Sequence, residues 1–66
     1  MTDAVRFVSM SARALIDWYG INAMAVAGDR ASNKLSHGDT EGARIWLAVR
    51  KEIERLQSLH HGAMRA

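Results

Sequence analysis

The 66-residue sequence contains no cysteine and no proline, and only 6% of it is aromatic. Without cysteine there is no disulfide and no thiolate metal site, which brings oligomerisation forward among the staples that small domains use. A cysteine-free chain also suits a reducing compartment, and the cytoplasm is the expected location. Without proline, nothing obliges a helix to kink. No run reaches the ~18 consecutive apolar residues of a membrane span, so no membrane partner is expected. Asp3 stands where a secretory signal would carry basic charge, and Arg6, Arg13 and Asp17 interrupt the apolar residues after it, so no signal peptide is read. Charge is nearly balanced, nine basic against seven acidic residues for a net +2. That balance does not argue for nucleic acid.

What the chain does contain is helix formers: alanine, leucine, methionine and arginine are frequent, and alternating β-branched runs are missing. Punctuation falls to glycine and capping residues. In Tyr19-Gly20-Ile21-Asn22, Gly20 can close one helix in the left-handed conformation, Asn22 can cap the next, and Ile21 with Val26 would form a hydrophobic staple. In Ser36-His37-Gly38-Asp39-Thr40-Glu41, Gly38 ends a helix and Asp39 caps another, with Glu41 at the positive end of its dipole. The pattern predicts an all-α fold of three short helices, at about 3–19, 22–36 and 40–60, in one domain over residues 1–66 with a frayed tail from about 62.

The third helix has the clearest apolar face, Trp46, Val49, Ile53 and Leu56 at 3-4-3 spacing with Ile45 beside them, and this face is expected to be core. Its charged side offers Glu41 with Arg44, Lys51 with Glu54 and Glu52 with Arg55 as exposed pairs. Leu47 falls on the wet side, as an ordinary exposed leucine or, less favoured, an interface residue. In the second helix Met24, Gly28, Ala31 and Leu35 share a face, with Ala31 and Leu35 expected in the core. Gly28 either breaks this helix or admits a neighbour closely, and the small residues around it favour close packing. Arg30 can reach the carbonyls of its own helix end or a carboxylate across the hairpin.

The first helix has more apolar surface than two short helices can cover. Val5, Val8, Ala12, Leu15 and Tyr19 form one line, Ala4, Phe7, Ala14 and Trp18 another, and Ile16 continues the surface, leaving Arg6, Arg13 and Asp17 a narrow polar strip into which Met10 intrudes. Val5, Phe7, Val8, Ala12, Leu15, Ile16, Trp18 and Tyr19 are therefore the candidate interface.

Chemistry is sparse. His37 lies in the second loop and His60 and His61 are adjacent at a helix end, where they point about 100° apart and make a poor metal clamp. No acidic pair shares an apolar helix face, and no serine sits in a motif with an activating base. No catalytic, metal or cofactor residue is assigned, and a chain this short has little means to enclose a small-molecule substrate. Gly20 and Ile21, with Leu15 and Val26 at apolar positions, resemble the turn of a helix-turn-helix, which keeps a nucleic-acid-binding protein as the alternative reading. Against it, Asn22, Ala23 and Ala25 give the following helix little with which to read bases, and Ile16 is bulky where that motif keeps alanine.

From Ala12 to Leu56 the chain resembles a group of short bacterial helical proteins with no assigned activity, through the spaced residues Ala14, Gly20, Ala23, Ala27, Arg30-Ala31, Gly38-Asp39, Gly42, Trp46, Val49, Ile53 and Leu56. It departs from them at Tyr19, where similar proteins often carry histidine. The resemblance implies a helical fold and bacterial origin only. Physically, Asp39 would cap, Gly42 would give a neighbouring helix room, and Trp46 would fill the space between helices. Together these features predict a homodimeric helical bundle, associating through the first helix or binding another protein there, that acts as a non-catalytic interaction module or accessory subunit.

Overall fold

The computed structural model describes the backbone of residues 2–65 and the side chains of residues 3–59. It is helical, with no strand among the described residues: α1 spans Thr2–Tyr19, a 3-10 turn spans Gly20–Asn22, α2 spans Ala23–Ser36 and α3 spans Thr40–Arg65. The 3-10 turn joins α1 to α2 with no coil residue between them, so the described residues hold two helical stretches where three separate helices were expected. Gly20 does turn left-handed, at φ +58°, but Asn22 keeps right-handed backbone at φ −88° and ψ 0° and its side chain caps nothing. Without a cap to stop and restart the helix, the chain bends through one tight turn. The Gly20 carbonyl there accepts the Ala23 N–H and, at 3.0 Å, the Gln57 Nε2 amide from α3. A side chain 37 residues away thus ties the bend to the far helix. The staple does not form, since Ile21 is 89% exposed while Val26 packs against the core.

The second break behaves as its sequence requires. Asp39 N–H donates to the Lys34 carbonyl at 2.8 Å and Gly38 N–H to that of Leu35 at 3.0 Å, with Gly38 left-handed at φ +77°. This is a Schellman closure. Where such closures often place an apolar contact, Lys34 Nζ lies 3.6 Å from Asp39 Oδ2. Asp39 also starts α3, its Oδ1 accepting the Gly42 N–H at 2.9 Å. Gly42 leaves room for this carboxylate and not for a neighbouring helix: a Cβ there would stand 2.5 Å from Asp39 Oδ2.

α2 and α3 run antiparallel, with Gly28 beside Arg50 and Arg30 beside Trp46. Ala12 and Leu15 of α1, Ala23 and Ala27 of α2, and Val49 and Ile53 of α3 form the buried cluster, with Ala31 and Ala43 also buried. Trp46 and Leu56, expected in the core, are partly buried and pack against it. Leu35 is not core: it is 56% exposed. The inward row of α2 is Ala23, Ala27 and Ala31; it shares Ala31 with the expected face but takes Ala23 and Ala27 in place of Met24 and Gly28, and four-residue steps drift about 40° each, so the row has turned outward by Leu35. Gly28 does not break α2, and the nearest atoms to a Cβ built on it are Arg50 Cδ and Nε at 3.8 and 3.9 Å, so no helix backbone presses on it. α3 continues to Arg65, past the end expected at about residue 60. The expectations for His60, His61 and the tail from Gly62 lie outside the described side chains.

Candidate interaction surface

α1 turns Val8, Ala12, Leu15 and Ile16 toward the other helices. Ala12 and Leu15 are buried in their own chain, which leaves them no surface to offer a partner. The remaining candidate residues point outward: Val5 is 70% and Trp18 81% exposed, with Phe7 and Tyr19 also exposed. Met10, at 64% exposure, and Ala14 join Phe7 and Trp18 in a stripe at 3-4-4 spacing along the outer side of the helix. The sequence pattern sets Met10 apart as an intrusion into the polar strip; the shared helical face is the signal that includes it.

A second apolar surface lies in the groove between α1 and α3. Ala4, Val5, Val8, Ile45 and Ala48 line it, with Arg44 and Glu52 at its rim, and it has a volume of about 450 Å³. Another groove runs between α2 and α3, where Met24 is half-buried and Ile21, Leu35 and Leu47 are exposed.

Trp46 bridges the helices. Its ring meets Phe7 of α1 edge-on at a centroid distance of 5.8 Å and an interplanar angle of 76°, and the Arg30 guanidinium of α2 lies 5.1 Å from the ring centroid. Arg30 therefore uses neither a helix-end carbonyl nor a carboxylate; the aromatic face takes its charge. Nothing in local sequence spacing announces these contacts, because Arg30 and Phe7 lie 16 and 39 residues before Trp46 along the chain. His37 Nδ1 lies 2.8 Å from the Asn33 carbonyl and closes the end of α2.

Among the described residues, ion pairs join Lys34 to Asp39 and Glu52 to Arg55, the latter at 2.7 Å; Glu41 with Arg44, Lys51 with Glu54 and Arg13 with Asp17 do not pair. Hydrogen bonds from Arg55 hold the Glu52 carboxyl below its usual range, with the charges of Arg55 and Arg13 adding to the effect, and the Arg55 guanidinium is raised in turn. No group of three or more His, Cys, Asp or Glu capable of holding a metal occurs among the described residues. None of the described helices is long and apolar enough to cross a membrane. Comparison with protein-family models, curated proteins and solved structures found no match.

Proposed function

We propose that this chain is a non-catalytic interaction module, a small regulator or accessory subunit that self-associates as a homodimeric helical bundle through α1 and works by holding another protein, in the cytoplasm of a bacterium. The observation that carries the reading is the two-sided apolar character of α1. One side, at Val8, Ala12 and Leu15, completes the chain's own core, while Val5, Met10 and Trp18 remain in water and Phe7 is covered only in part by Trp46. Apolar surface of this extent marks an interaction site more often than an idle face.

Light scattering on the purified protein tests the first half of the reading. A mass of twice 7.3 kDa at low micromolar concentration is expected, and a stable monomer there overturns it. The nucleic-acid alternative gives a different result: salt-sensitive mobility shifts of DNA or RNA. Absence of any shift at low salt leaves the protein-binding reading in place, and a shift that weakens steeply with salt replaces it.

A further inference from the structure

We propose that two copies of the chain meet through antiparallel contact of their α3 helices, on a two-fold axis at Ala48, with the Val5 edge of each α1 flanking the contact. This rests on the self-association proposed above but centres it on α3, with α1 contributing its Val5 edge and its outer stripe left free for the other protein. Ala48 is exposed and lines the apolar groove between α1 and α3, beside Ile45 and Val5.

At 100° per residue, Glu41, Arg44, Glu52 and Arg55 all lie within about 40° of Ala48 on the face of α3. Their signs run minus, plus, minus, plus, at seven and four residues before Ala48 and four and seven after it. Reversing the helix about Ala48 inverts every sign. In an antiparallel pair Glu41 therefore meets Arg55 of the second copy and Arg44 meets its Glu52, and the two-fold repeats both pairs. A parallel pair in the same register would set each charge against itself, which is unfavourable. Lys51, on the flank, falls opposite Ile45 of the second copy, where its methylene stem can cover the apolar side chain while the ammonium stays in water.

The single chain leaves half of this set unused. Glu41 and Arg44 have no ion-pair partner among the described residues, whereas Glu52 and Arg55 bond each other. Joining two copies makes one alternating row in which every carboxylate borders a guanidinium. The small Ala48 side chain lets the two helix axes come within about 8–10 Å. The paired stretch from residue 41 to 55 is about 21 Å long at 1.5 Å per residue.

Because the sequence has no cysteine, one introduced thiol reports on its own image across the axis. Ala48→Cys should form a disulfide-linked dimer under mild oxidation, since the two positions face each other within disulfide reach. Ala14→Cys, on the outer stripe of α1, should stay uncrosslinked. Arg44→Glu should weaken dimerisation roughly tenfold or more by placing like charges together, and adding Glu52→Arg should recover most of the loss. A dimeric wild type in which Ala14→Cys crosslinks and Ala48→Cys does not, or in which Arg44→Glu leaves affinity unchanged, overturns the α3 contact while self-association stands. A monomeric wild type overturns the reading beneath it.

Discussion

Replacing Gly28 with alanine should make this protein more stable, although a glycine within a small-residue helix face looks like a packing requirement. The added Cβ would meet only the side chain of Arg50, with Cδ at 3.8 Å and Nε at 3.9 Å, which is ordinary van der Waals contact. The backbone of Gly28 is right-handed and lies inside α2, so alanine introduces no strain. What remains is the helix-propensity difference, about 0.8–1.0 kcal/mol in favour of alanine. For a domain of this size that corresponds to a rise in Tm of about 4–8 °C. Gly20→Ala is the matched control. Nothing lies within 4 Å of a Cβ there either, yet φ is +58°, so left-handed alanine should destabilise by about 1–2 kcal/mol. Thermal melts by circular dichroism, at one fixed protein concentration because association shifts Tm, should show the two substitutions moving in opposite directions. A lower Tm for Gly28→Ala would refute the reasoning and place α2 and α3 closer at this level than the Arg50 contact allows.

Trp46→Ala should cost about 2–3 kcal/mol, below the range for fully buried tryptophan because the ring is only partly covered, and Trp46→Phe should retain most of that; denaturant titration measures both. Asp39→Ala should cost about 1 kcal/mol through loss of the α3 cap, while Asp39→Asn should be nearly neutral, since asparagine caps equally well and the exposed Lys34 pair adds little. The folded-state pKa of Glu52 is depressed, so its contribution is present above the unfolded value and is lost as pH falls through the folded one. The stability difference between wild type and Glu52→Gln should therefore exist at neutral pH and vanish in the acid range, as melts across a pH series would show.

Features fixed within one or two turns of chain were legible in the sequence. Gly38 and Asp39 end one helix and begin the next through bonds spanning three to five residues, and the Val49 and Ile53 stripe of α3 is a direct reading of helical period. Features set by how helices meet were not. The inward row of α2 meets the expected face at Ala31 but runs through Ala23 and Ala27 rather than Met24 and Gly28, which is decided by packing against α1 and α3 and not by local spacing. Asn22 looks like a cap in isolation, but the bend takes its hydrogen bond from Gln57 on another helix. Arg30 over Trp46 has the same origin in tertiary contact. On α1 the surplus apolar surface was visible from composition of the face, but its division was not: only packing decides that Leu15 turns inward and Val5 outward.

That division supplies the most direct measurement of whether α1 has surface to share. Val5→Glu changes a side chain that is 70% exposed in the single chain, so it should leave helicity and monomer folding unaltered. Sedimentation equilibrium of wild type and Val5→Glu side by side, with circular dichroism on the same samples, is the decisive comparison. The expected result is a dimeric wild type and a monomeric variant of equal helicity. Equal masses for the two proteins, whether both single or both paired, would contradict self-association through this edge of α1.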